Sequence, residues 1–199
     1  MLKKIYFTFL FLLSTFLVNS QVVINEYSAS NFDSHLDNYG EYEDWVELYN
    51  TTNSDIDLNG WSLTDKPSNL SKWSFPGSFI VSANSVAIVY CSGLNELVGG
   101  VAHTNFKITQ TKAGEVFVLS DASGNIVDSA RAVPAQKSHS RGRDVNGGTT
   151  WSVFTTATPN TNNSGAMLEY APLPIFSQSS GYYSSPFDLT LSCADPNAS

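Results

Sequence analysis

Four carboxylates, Glu41, Glu43, Asp44 and Glu47, crowd the decapeptide EYEDWVELYN at 41–50. Acids at this density can hold a metal, move protons, or wet the outside of a strand. The upstream loop, SASNFDSHLDNYGEYE at 28–43, adds Asp33 and Asp37. An EF-hand frame started at Asp33 puts His35 where an oxygen ligand belongs and has no glycine at the turn position, so that pattern fails. A looser calcium cage from Asp33, Asp37 and Glu41 remains, because calcium accepts irregular oxygen shells. The competing reading is a solvated acidic loop that keeps a lysine-poor chain soluble. Calcium is the one cofactor these residues suggest. Glu43 and Asp44 are neighbours in the chain and point to opposite sides of an extended strand, which is wrong for a glycosidase-type acid–base pair. Glu47 shares a strand face with Trp45 and Tyr49, and is expected to be partly buried and hydrogen-bonded.

The other reactive residue types form no constellation. His35, His103 and His139 are scattered, with no HExxH, CxxC or HxH spacing for zinc. Ser138-His139-Ser140 lacks the strand-turn-helix setting of a nucleophile elbow. The glycines of SGNIVD and NGG read as turn glycines rather than a phosphate cradle. RGR at 141–143 reads as a small basic spot. No catalytic residue is assigned, and the chain given is read as not an enzyme.

The N-terminus supplies context. Lys3 and Lys4 precede the apolar run IYFTFLFLLSTFLV, which ends at Val18-Asn19-Ser20. This is the layout of a secretory signal peptide over residues 1–20, cleaved after Ser20. The run is shorter than the roughly 20 residues a spanning helix needs. The expected product is therefore exported, extracellular or at the cell surface, with no membrane span in the mature chain. Without Lys3 and Lys4, eight basic side chains face 18 acidic ones. That balance excludes nucleic acid as a partner, since phosphate contacts require Lys and Arg, and also argues against anionic membranes. Cys91 and Cys193 are far apart in sequence; Cys91 follows VAIVY and reads as a buried free thiol, so no disulfide is expected.

The elements that would position these residues are short strands. VVINEYSA, DWVELYNTT, IDLNGWSL, KWSFP, VAIVYCS, GEVFVLSD, NIVDSARA and WSVFTT are separated by Gly, Asn, Asp, Ser and Pro, with no helical period. This spacing predicts an all-β sandwich. EVFVLS is apolar on both parities and reads as a central strand, and DASGN at 121–125 as a hairpin loop. Residues 164–171 read as a linker. A second β-rich stretch, 172–199, has at most two strands, too few to bury a core, so it reads as the start of an incomplete second small sandwich.

The ordered series VVINEY, EDWVELYNTTNSDIDLNGWSLTD, KWSFP, VSANSVAIVYCSG, HTNFKIT, GEVFVLSD and WSVFTTATPNTNN resembles the bacterial lamin-tail domain, an immunoglobulin-like relative of the tail of nuclear lamins. The resemblance spans residues 21–163. It implies a core of Trp45, Tyr49, Leu58, Trp61, Leu63, Trp73 and Trp151, with Trp45 and Tyr49 (or Val46 and Leu48) between two sheets and LNGWSL as hairpin partner of DWVELYN. Where the family usually ends in Thr-Pro-Gly, this chain has Thr158-Pro159-Asn160. Residues 172–199, with Tyr182, Tyr183, Pro186 and DLTLS, resemble the start of the small sandwich found at the C-terminus of chitobiases and hexosaminidases. Such pairs often precede a kinase-like domain of the spore-coat-protein-H family. The expected function is a non-catalytic binding or spacing module at the cell surface, the front of a larger protein, with a protein or carbohydrate ligand. The alternatives are the accessory part of a secreted enzyme, and a calcium-stabilised adhesin.

Overall fold

The computed structural model describes residues 21–110, 115–167 and 169–194. The signal peptide expected at 1–20 lies outside the described residues. Everything regular in the described chain is β. In order, the strands are β1 (Val22–Ser28), β2 (Trp45–Asn50), β3 (Ile56–Asp57), β4 (Ser62–Thr64) and β5 (Trp73–Ser74). They continue as β6 (Ile80–Val81), β7 (Val86–Tyr90), β8 (Glu96–Val98), β9 (Val101–His103) and β10 (Val116–Ser120). The last five are β11 (Ile126–Arg131), β12 (Ser140–Arg143), β13 (Trp151–Phe154), β14 (Ile175–Phe176) and β15 (Leu191–Ser192).

Two main sheets face each other. A seven-stranded sheet runs β13-β12-β1-β2-β7-β9-β8, and a four-stranded sheet runs β11-β10-β4-β5. β7 and β9 pair in parallel, while the other pairs are antiparallel. Period-2 alternation decides which side chains enter the space between the sheets. From β1, β2 and β7 these are Val22, Ile24, Tyr27, Val46, Leu48 and Val89; from the opposing sheet, Leu63, Trp73, Phe117, Leu119 and Ala130. Tyr27 bolts the sheets together: its ring meets Phe117 edge-on at 5.0 Å. Its hydroxyl donates to the Arg131 carbonyl and accepts from the Val133 N–H, each at 2.9 Å. Burial pushes the Tyr27 phenol up to about 12.

The central strand expected at EVFVLS is β10, flanked by β11 and β4. The loop at 121–125 closes the β10–β11 hairpin, with Asp121 Oδ1 accepting from the Ser123 and Asn125 N–H groups and Gly124 at φ 83°. Other expectations need correction. LNGWSL does not pair with DWVELYN. Gly60 at φ 77°, next to the Trp61 N–H to Leu58 O turn, sends β4 into the opposite sheet, where it pairs with β10 and β5. On β2 it is Val46 and Leu48 that enter the inter-sheet core, not Trp45 and Tyr49. Leu58, Leu63 and Trp73 are in that core. Tyr49, Trp61 and Trp151 are half-buried, and Trp61 and Trp151 pack against the core margin.

RGR is no surface spot. Arg141 and Arg143 are buried in β12, where the Arg141 guanidinium takes both carboxylate oxygens of Glu169 at 2.9 Å. Arg143 pairs with Asp128 at 2.9 Å and lies 5.4 Å from the Trp151 ring. Cys91 is buried in the core and free, and Cys193 is also free. The stretch read as a linker is tied to the sandwich, since Met167 bridges Val153 and Glu169 holds Arg141. Beyond it, β14 and β15 form a two-stranded ribbon whose Ile175, Phe176 and Leu191 are exposed. Among the described residues, no helix is long and apolar enough to cross a membrane.

Candidate functional site

Of the acids that sequence singled out, Glu47 lies in a buried polar network on the outer face of the seven-stranded sheet, away from the core. β1 shows why. Its register against β2 shifts between Ile24 and Glu26. A bulge of this kind lets two successive residues leave the same side of a strand. Ile24 and Tyr27 enter the core, while Asn25 and Glu26 reach the buried polar network on the other side. All seven residues of β1 are buried, polar ones included.

Glu26 and Glu47 are register partners across β1 and β2, and both are fully buried. What covers them is the segment after β13. Glu26 Oε1 accepts the Thr158 N–H at 2.9 Å and the Ser140 hydroxyl, and Glu26 Oε2 accepts the Thr158 hydroxyl at 2.6 Å. Glu47 Oε2 accepts the Asn160 N–H at 2.7 Å, and its Oε1 accepts the Asn25 amide at 3.0 Å. Asn160 stands at φ 60°, the left-handed turn that Asn tolerates in place of glycine. Asn25 also reaches Asn146 and Asn163, and Asn163 donates to the Arg143 carbonyl. Two buried carboxylates thus strap residues 158–163 down over β1 and β2. Burial raises the Glu26 pKa against the pull of its three donors. Burial pushes Glu47 up to about 8; the Asn25 bond lowers it and nearby Glu26 raises it further.

The other end of the outer face is covered by the 31–44 loop. Trp45, fully buried, packs with Ile88 and Tyr90. His35 stacks on Tyr90 with centroids 6.0 Å apart, Tyr90 stacks on His103 at 5.2 Å, and Tyr39 leans on His103 at 5.6 Å. His103 is held at both nitrogens, by Ser92 at 2.9 Å and Asn38 at 2.7 Å. Two histidines distant in sequence therefore meet across one tyrosine, and they brace the loop against the sheet.

Asp33, Asp37 and Glu41 are not brought together. Asp33 and Glu41 are exposed, and Asp37 Oδ1 accepts the Tyr39 and Glu41 N–H groups at 2.8 and 2.9 Å. Among the described residues, no group of three or more His, Cys, Asp or Glu side chains could hold a metal ion. Glu43 pairs with Lys107 at 2.8 Å. Asp44 accepts the Asn31 N–H at 2.9 Å, and burial pushes its carboxyl up to about 6. Glu26 was not singled out from sequence. Its only signal was the Asn-Glu doublet that interrupts an apolar run. The histidine ladder left none, because His35, Tyr90 and His103 lie far apart in the sequence.

Two facing sheets, a cross-sheet tyrosine bolt and a C-terminal strap define an immunoglobulin-like β-sandwich. The sequence model of the Lamin Tail Domain matches residues 18–133. The chain belongs to that family. β12 and β13, beyond the matched stretch, complete its larger sheet. No curated protein matches the chain.

Proposed function

We propose that this chain is an exported, non-catalytic lamin-tail module that binds or spaces at a bacterial cell surface within a larger protein. The observation that carries the non-catalytic reading is the fate of Glu26 and Glu47. They are the best acid–base candidates by type and pairing, yet both are sealed from solvent and held by structural donors, Ser140 and Thr158 on Glu26 and Asn25 and Asn160 on Glu47. A catalytic carboxylate must reach the proton it moves. The exposed apolar side chains of the β14–β15 ribbon, with the chitobiase-type resemblance of 172–199, favour further modules. On that observation the second reading is an accessory part of a secreted enzyme, such as one carrying a kinase-like domain of the spore-coat-protein-H family.

Two measurements test this. Expression of the full chain in a bacterium, followed by N-terminal sequencing of the product, is expected to give extracellular protein starting at Gln21; an intact, retained N-terminus rejects export. Glycosidase, esterase and phosphotransfer assays on the purified chain are expected to show no turnover. Activity that survives Glu43→Gln, Asp44→Asn and Glu47→Gln would reject only the acids as its source, while activity of any kind rejects the non-catalytic reading.

A further inference from the structure

We propose that the cleft between segments 29–32, 42–44 and 107–110 binds a neutral oligosaccharide; this deepens, and rests on, the reading of the chain as a binding module. The cleft has a volume of about 440 Å³, within the range of sites for small ligands. Phe32 and Tyr42 line it and are 59% and 46% exposed. Large rings left open to water lose the stabilisation that burial would give, and here both line a single concavity.

The walls are held in place before any ligand arrives. The Phe32 and Asp33 N–H groups both donate to Ser138 Oγ at 3.2 Å, and Lys137 Nζ sits 4.9 Å from the Phe32 ring centroid. Asn31 staples the loop internally, its amide donating to the His35 carbonyl at 2.6 Å and the Glu43 carbonyl at 2.9 Å. A rigid platform spares the ligand the ordering cost of binding.

Charge selects among ligand classes. Lys107 Nζ bonds both oxygens of Glu43, at 3.1 and 2.8 Å, so this pair neutralises itself while keeping donors and acceptors at the rim. Asp44 spends one oxygen on Asn31. A phosphorylated or sulfated ligand would meet Lys137 over the Phe32 ring, but at the opposite wall it would face Glu43, already paired with Lys107, and Asp44, in a chain with a formal net charge of −8. A basic peptide would compete with Lys107 for Glu43. A purely apolar ligand would strip water from an ion pair and return nothing. A pyranose uses what is present: its C–H face lies on aromatic rings, and its hydroxyls donate to carboxylate and carbonyl oxygens and accept from ammonium and amide groups.

The test is calorimetric titration of the full chain with neutral hexasaccharides of glucose, xylose, mannose and N-acetylglucosamine, with a sulfated hexasaccharide and an oligolysine peptide as comparators. At least one neutral sugar is expected to bind. Phe32→Ala and Tyr42→Ala are each expected to weaken it about tenfold or more. Phe176→Ala, on the distant ribbon, is expected to leave it unchanged. Both cleft rings are half-exposed, so circular dichroism of the variants should match the parent. Absence of binding by all four neutral sugars at millimolar concentration overturns the proposal, as does preference for the sulfated sugar or the peptide. Sugar binding that ignores Phe32→Ala and Tyr42→Ala overturns the site but leaves the module reading standing, whereas hydrolysis of the sugar overturns the module reading itself.

Discussion

On the inner face of the seven-stranded sheet, Ile24, Val46, Leu48 and Val89 meet side chains of the opposing sheet; on the outer face, Asn25, Glu26, Trp45 and Glu47 meet the chain's own loops. These residues are equally dry on the two faces, yet different physics dries them. The inner contact is apolar and non-directional, so its stabilisation scales with area and ignores pH. The outer contact is made of directed hydrogen bonds to carboxylates, so its strength depends on geometry and on protonation. A sheet can thus carry a core on one side and a polar lock on the other.

Replacing residues on each face should separate the two. Leu48→Ala, which empties fully buried volume between the sheets, is expected to cost about 3 kcal/mol. The loss should be the same at pH 6 and pH 9 by urea unfolding; a pH-dependent loss would break the distinction. Gly142→Ala tests how closely the outer face is packed. A Cβ there would lie 3.0 Å from the Asn25 carbonyl oxygen and from Glu26 Cγ, and 3.1 Å from the Asn163 amide nitrogen. Overpacking at such a point is expected to cost about 2 kcal/mol, read as a lowered unfolding midpoint.

Glu47 gives the pH signature. Its pKa is raised in the fold to about 8 from 4.5, so its stabilisation is fully present below 4.5 and is lost as pH rises through about 8. Between pH 7 and pH 9 the wild-type chain is expected to lose about 1.4 kcal/mol from this group. Burial lowers the His35 pKa, which gives the opposite slope, but only below its ordinary 6.5, outside this window. Glu47→Gln should reduce the pH 7–9 loss whatever its baseline stability, leaving the part that comes from Glu26 and Cys91, whose pKa values burial also raises, and an unchanged slope would assign the whole loss to them. Thr158→Val, removing the hydroxyl on Glu26 Oε2, is expected to cost about 1 kcal/mol. The smallest effect expected is that of millimolar calcium, which should leave the melting temperature unmoved. A calcium-dependent rise lost in Asp33→Ala plus Asp37→Ala would revive the adhesin reading.

The inner face was legible in part: on DWVELYN alternation groups Val46 with Leu48 against Trp45, Glu47 and Tyr49, whereas VAIVY is apolar at every position and VVINEYS changes parity at its bulge. The outer face was not. Its burial comes from segments 31–44 and 158–163, which lie far from β1 and β2 in the chain and are themselves polar, so no local pattern announces that they fold back. This is why Trp45 and Tyr49 were as eligible for the core as Val46 and Leu48. The path of LNGWSL was hidden for another reason: Asn59-Gly60 marks a bend, but a bend does not say which sheet the chain enters next. RGR misled because charge predicts exposure unless partners such as Glu169 and Asp128 are known.

The strap also sets how the sandwich would respond to force. A pull on the chain from beyond residue 170 meets its attachments in series: the forked Glu169–Arg141 pair, then the Met167–Val153 bridge, then the Asn160 and Thr158 bonds to Glu47 and Glu26. The Met167 bridge already bears on β13, the edge strand of the larger sheet, from its side, but β13 is pulled along its own chain only after these attachments give way. The tail would peel in steps and dissipate work at each one, so a domain tethered in this order acts as a shock absorber ahead of its own core.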